Sequence, residues 1–111
     1  MKLPANTIIP IEKATRYLLV PQERGDKSAF LERAGYTLDN ADQLLSDLRT
    51  QLLPLEATHL QSNMFGQYYE IRGKLAGPNG RRLAVRTIWI TERLSGATRF
   101  VTLLPEKRTT E

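Results

Sequence analysis

A hairpin written into residues 67–92 limits what this chain can fold into. Its turn is Pro78-Asn79-Gly80. Proline presets φ at the second turn position, asparagine tolerates the third, and glycine takes positive φ without a Cβ penalty. Such a loop pairs Gly77 with Arg81 and fixes every pair behind them. One face then carries Tyr69/Trp89, Ile71/Thr87, Gly73/Val85 and Leu75/Leu83. The other carries Glu70/Ile88, Arg72/Arg86, Lys74/Ala84 and Ala76/Arg82. Side chains alternate across a strand, so this register separates an apolar face from a basic one. A slip of one residue would mix the two sets.

The rest of the chain reads as partners for that hairpin. Residues 1–10 form an extended arm, because Pro4 and Pro10 disfavour helix in the residues before them. Its Leu3, Ile8 and Ile9 can lie along the domain as an edge strand. The helical half covers residues 11–54. A first helix spans Ile11–Val20 and stops at Pro21; a second spans Lys27–Ala34, capped by Asp26 and ended by Gly35. A third is capped by Thr37 or Asp39 and ends near Leu53. Leu38, Ala41, Leu44, Leu45, Leu48 and Leu52 keep a helical rhythm there, with Asp42, Asp47 and Arg49 turned to water. The sheet covers residues 55–104, with strands near 55–64, 67–76, 81–92 and 97–104. Residues 105–111 read as a frayed polar tail. The expectation is one α+β domain, residues 1–111. About three N-terminal helices pack on one face of a four-stranded antiparallel β-meander.

Composition excludes several chemistries. With no cysteine there is no disulfide, thiol nucleophile or cysteine zinc site, and one histidine, His59, excludes a histidine-pair metal site. No metal and no cofactor is expected. No apolar run approaches the roughly 18 residues of a membrane span, and the N-terminus makes a poor signal peptide, so no membrane partner is expected and the cytoplasm is the default location. Residues 1–55 hold seven Lys/Arg against seven Asp/Glu, whereas residues 56–111 hold nine against five. The whole excess of +4 therefore sits in the sheet half, which points to a polyanionic ligand.

The basic face is the leading site. Arg72, Lys74, Arg82 and Arg86 share it, with Glu70 as the one acid and Tyr68 as the aromatic. A third-to-fourth-strand pairing that sets Thr102 beside Arg86 and Phe100 beside Ile88 adds a hydroxyl and a ring. Arginine, hydroxyl and aromatic groups together suit phosphate contacts and base stacking. Like charges directly across strands repel, so Arg72 opposite Arg86 is explained by a shared anion. The plain alternative is a solvated sheet face whose charges prevent aggregation. Trp89 and Tyr69 read as core. His59 lies in the first strand, and Arg24 and Lys27 flank the start of the second helix.

The strings RYLL, RGDKSAFLERAGYT, FGQYYEIRGKLAGPNG, VRTIW and RFVTLLP occur in that order. They resemble a family of small bacterial proteins of undescribed function, found alone or as tail domains. In outline the chain also resembles the barnase–EndoU–colicin–RelE-like ribonuclease group. That likeness implies metal-free RNA cleavage on the sheet and control by an antitoxin or immunity protein. Carried onto this sequence, the 2′-hydroxyl attacks the neighbouring phosphate. Arg72 and Arg86 stabilise the phosphorane, and Thr102 bonds a phosphate oxygen. Glu70 or His59 takes the proton, and Lys27 protonates the leaving oxygen. Lys74, Arg82 and Tyr68 hold the RNA. The alternative is a non-catalytic protein-binding domain of immunity or adaptor type, and a third reading is a homodimer pairing through its sheets or edges.

Overall fold

The computed structural model describes residues 1–21 and 27–106. The expected cap Asp26, and Arg24 before it, lie outside the described residues. Four antiparallel strands lie in chain order: β1 Thr58–Asn63, β2 Gly66–Ala76, β3 Arg82–Glu92 and β4 Thr98–Pro105. The β2–β3 register is the one the turn dictates, from Tyr69↔Trp89 through Arg72↔Arg86 to Ala76↔Arg82. Gly80 takes the positive φ, 89°, that the loop requires.

Three helical segments cover the apolar face, and each is less regular than its periodicity implies. The first, α1 (residues 11–18), is one α-turn, Ile11–Lys13, widened into a π-turn over Ala14–Leu18. The second, α2, is Ser28–Glu32. The third, α3 (residues 38–52), opens as 3₁₀ over Leu38–Asn40, continues as α over Ala41–Asp47 and ends as a π-turn over Leu48–Leu52. Thr37, rather than Asp39, caps it: its hydroxyl accepts from Asp39 N–H at 3.2 Å, and Asn40 Oδ1 accepts from Thr37 N–H at 2.8 Å. The two bonds form a reciprocal capping box.

Trp89, Ile71, Leu75, Val85, Phe100 and Leu103 from the sheet pack against Leu18, Leu31, Leu44, Leu48 and Leu52. The Trp89 indole donates to Thr87 Oγ1 at 2.8 Å, and that hydroxyl donates to the Ile71 carbonyl at 2.9 Å, so neither polar group is buried unpaired. Two glycines bring helix and sheet together. A Cβ on Gly73 would meet Leu55 at 2.6 Å, and one on Gly77 would meet the Ala34 carbonyl oxygen at 2.1 Å.

Several expectations are corrected. Asp47 is buried, not turned to water, and accepts hydrogen bonds from Tyr36 at 2.6 Å and Gln43 at 2.9 Å. Leu38 is exposed rather than core. The chain from Pro105 is not all frayed tail, since Pro105 ends β4 and Glu106 N–H donates to the Ala84 carbonyl at 2.9 Å. The last strand pairs Arg86↔Leu104, Ile88↔Thr102 and Trp89↔Phe100, with an irregularity between Ile88 and Trp89 that leaves Val101 as an extra residue. Thr102 is therefore opposite Ile88, not Arg86, and Phe100 belongs to the core instead of the basic face.

The N-terminal arm closes the β4 side. Ile8 forms a single parallel bridge with Arg99: its N–H donates to Thr98 O at 2.8 Å, and Phe100 N–H donates to Ile8 O at 2.9 Å. Arg49 holds the arm by donating to Ala5 O at 2.9 Å and Thr7 O at 2.8 Å.

Candidate functional site

The register arranges the open face in rows that cross the strands. One row is Glu70–Ile88–Thr102, the next is Arg72–Arg86–Leu104, and on the other side lies Tyr68–Ile90–Arg99. Glu70 is the centre of charge. Arg72 Nε donates to its Oε1 at 3.1 Å and Arg86 Nε to its Oε2 at 2.5 Å. Only 9% of the Glu70 side chain is exposed, against 60% for Arg72 and 33% for Arg86. Burial alone would raise the Glu70 pKa. The hydrogen bonds and charges of Arg86 and Arg72 outweigh it and hold the group below the ordinary carboxylate value. Glu70 is thus an ionised base in a partly desolvated setting.

Arg72 has a second acidic partner, since its Nη1 donates to Glu106 Oε2 at 3.3 Å. The opposed arginines are therefore accounted for without an external anion. Two carboxylates of the chain itself balance the two guanidinium groups, correcting the expectation that a shared ligand explains the pair. A cleft of ≈ 450 Å³ lined by Arg72, Arg86, Leu104, Pro105 and Glu106 opens beside the cluster.

The outer end of the Glu70 row holds a second group. Lys27 Nζ donates to the Tyr17 hydroxyl at 2.7 Å, and Thr102 Oγ1 donates to the same oxygen at 3.3 Å. Lys27 and Lys13 also lie 4.9 Å and 5.8 Å from the Tyr17 ring centroid. The Lys27 hydrogen bond, and then that of Thr102, lower the Tyr17 pKa against the effect of burial. The arm reaches β4 at Ile8 and runs directly into α1, which brings Tyr17 to the sheet's outer edge.

Glu70, Arg72 and Arg86 come together, while Thr102 and Lys27 meet one another through Tyr17. Lys74 and Arg82 are exposed on the same face, opposite Ala84 and Ala76, and Tyr68 is half-buried opposite Ile90. His59 does not join them. It pairs with Tyr69 on the helix-facing side, its ring 5.5 Å from Tyr69 in an edge-on contact, with Gln67 Oε1 2.8 Å from Nε2. Sequence reading missed Tyr17 and Glu106 as neighbours of the site. Lys13 four residues before Tyr17 was a usable local signal. The contact between Glu106 and Arg72, 34 residues apart, had none. Among the described residues no group of three or more His, Asp or Glu could hold a metal ion.

Residues 2–107 match a family described as a domain of unknown function, DUF6883. The chain belongs to the DUF6883 family. No curated protein matches its sequence. The DUF6883 fold is similar to a solved chain from a contact-dependent growth inhibition toxin–immunity protein complex of Klebsiella pneumoniae 342. The TM-score is 0.64 at 16% identity, covering 90% of this chain and 100% of that one. At that identity the DUF6883 chain and the Klebsiella chain share a fold. No helix among the described residues is long and apolar enough to cross a membrane.

Proposed function

We propose that this chain is a metal-independent endoribonuclease of toxin type, acting in the cytoplasm on RNA and held in check by an immunity or antitoxin protein. The observation that carries the reading is the ionised Glu70 carboxylate held between Arg72 and Arg86 on the open sheet face. In the mechanism Glu70 takes the proton of the 2′-hydroxyl, and O2′ bonds to phosphorus. The guanidinium groups turn toward the charge that builds on the phosphorane, and the bond to the 5′-oxygen breaks. That oxygen receives its proton on the Thr102 side of the row. Lys74, Arg82 and Tyr68 lie where flanking phosphates and a base can rest. The fold shared with a chain of a toxin–immunity complex supports this class of role.

The test is incubation of the purified chain with labelled mixed-sequence RNA in EDTA, beside Arg72→Ala/Arg86→Ala and Arg86→Ala. Cleavage by the wild type alone is expected. Cleavage unchanged by Arg86→Ala removes the assignment.

A second reading, a non-catalytic immunity or adaptor domain, has one observation in its favour. Met64, Phe65 and Leu94 are exposed at one end of the sheet, where Arg93 N–H donates to Phe65 O at 2.9 Å. An apolar end of that kind suits a protein partner. Under that reading RNA stays intact, and retention on RNA shows no steep dependence on salt.

A further inference from the structure

We propose that Lys13 and Lys27 form a second phosphate subsite at the β4 margin. It takes the phosphate 3′ to the leaving nucleoside, so the substrate is an RNA strand that continues past the cleaved bond. The inference rests on the ribonuclease reading. Charge accounting across the face points to these two residues. Arg72 and Arg86 are neutralised from within, by Glu70 and Glu106. Lys74 and Arg82 are exposed, so water solvates their charge. Lys13 and Lys27 differ from both pairs: each is half-buried, and neither has a carboxylate partner among the described residues. One tyrosine ring nevertheless gathers them, with their ammonium groups 5.8 Å and 4.9 Å from the Tyr17 centroid. The ring's attraction for each cation does not relieve their repulsion of one another. Like charges brought together and partly stripped of water are unfavourable until an anion joins them.

Position decides which phosphate that is. Lys27 Nζ donates to the Tyr17 phenol oxygen at 2.7 Å, and Thr102 Oγ1 donates to the same oxygen at 3.3 Å, so the phenol holds Lys27 beside Thr102. An ammonium has three donors, and the phenol takes one of those on Lys27. Thr102 is the diagonal neighbour of Arg86 across β3 and β4, a separation of about 7–8 Å. Cations at that spacing follow the backbone of a single strand from one phosphate to the next. Direction comes from the attack itself. Glu70 takes the 2′-hydroxyl proton from the β2 side, and in-line displacement sends the 5′-oxygen the other way, toward β4. The nucleoside leaving with that oxygen carries its own 3′-phosphate past Thr102 to the two ammonium groups. Lys27, expected from the sequence to protonate the leaving oxygen, thus becomes a holder of the next phosphate.

The experiment uses the full chain in EDTA on two substrates, a dinucleoside monophosphate and the same dinucleotide with a 3′-terminal phosphate. Wild type and Lys13→Gln are compared with Lys2→Gln, a control for net charge whose lysine donates to the Pro54 carbonyl at 3.0 Å beyond the end of α3. Wild type and Lys2→Gln are expected to prefer the 3′-phosphorylated substrate by about 10-fold in kcat/KM. Lys13→Gln is expected to lose most of that preference while melting as wild type does. Binding to a 2′-O-methyl oligonucleotide, which cannot be cut, gives a second readout. The slope of log affinity against log salt should fall by about 0.7 in Lys13→Gln/Lys27→Gln, one phosphate's share for a single strand, and hold in Lys2→Gln. A full preference kept by Lys13→Gln would overturn the subsite and leave the ribonuclease reading in place. An equal loss in Lys2→Gln would overturn it as an effect of net charge. If wild type cuts neither substrate, the ribonuclease reading falls and the slope alone decides: lowered, the phosphate site stands; unchanged, it falls too.

Discussion

Arg86 donates to Glu70 at 2.5 Å from one row away, although the residue directly opposite Arg86 is Arg72. The contact is diagonal, so one carboxylate serves two guanidinium groups that would otherwise repel. It also makes the charge state of Glu70 a condition for the order of the whole face.

Stability should therefore depend on Glu70 ionisation. Its folded pKa lies below the unfolded reference of 4.5, so its contribution is complete above that value and disappears as pH falls through the folded value. The wild type is expected to exceed Glu70→Gln by about 1–3 kcal/mol at pH 7, with the gap closing below 4.5. Urea unfolding of both proteins at several pH values checks this; a gap independent of pH would refute it.

Glu106 competes with any anion for Arg72. Its Oε2 holds the guanidinium, while Oε1 is buried with no partner among the described residues. Replacing it with glutamine should cost little stability and release a cation. Glu106→Gln is expected to bind a short RNA several-fold more tightly at low salt, with the gain fading as salt rises. Titrations at two ionic strengths would show the crossover or its absence.

The buried Tyr36–Asp47 pair ties the loop before α3 to the helix itself, and the same hydroxyl lies 3.1 Å from the Ala76 carbonyl. Burial, and then the neighbouring Asp47, push the Tyr36 pKa far up, so the phenol stays neutral and donates. Tyr36→Phe should destabilise by about 1–3 kcal/mol, because Asp47 keeps only Gln43. The loss should shrink when Asp47 is already asparagine, and a double-mutant cycle by denaturant unfolding reads the coupling.

Two glycines of one turn should answer differently to alanine. At Gly80 a Cβ meets nothing within 4 Å, and only its φ of +89° penalises substitution, by about 1–2 kcal/mol. At Gly77 a Cβ would run into the Ala34 carbonyl at 2.1 Å, in the place where Asn79 N–H donates to that same oxygen at 3.2 Å. Gly77→Ala should cost about 3 kcal/mol or more and loosen the hairpin from α2. Melting curves of the two variants rank them.

The central hairpin was legible because turn chemistry and face segregation agree on one register. Nothing similar governs the β3–β4 pair. Val101 is an extra residue within an unbroken run, Phe100 to Leu104, with no glycine or proline to mark it, so Thr102 and Phe100 shifted from their expected neighbours. His59 has a comparable history: β1 is irregular between His59 and Gln61, and an all-exposed strand carries no burial pattern to fix its faces. Glu70 was seen on the correct face, but its role as counter-ion depends on diagonal reach, which a table of directly opposed pairs does not contain. The π-turns ending α1 and α3 were hidden because an apolar stripe does not distinguish one residue more per turn.

The bridge from Ile8 to Arg99 has a consequence for assembly. It engages β4 at the Thr98 carbonyl and the Phe100 N–H, whereas β1, exposed along its whole length, pairs with β2 and with no other described strand. A margin obstructed at one point is a poor landing place for an incoming strand at that end, and the β1 margin carries no such obstacle. Removing residues 1–9 would free those two backbone groups and leave both margins of the sheet without an obstacle.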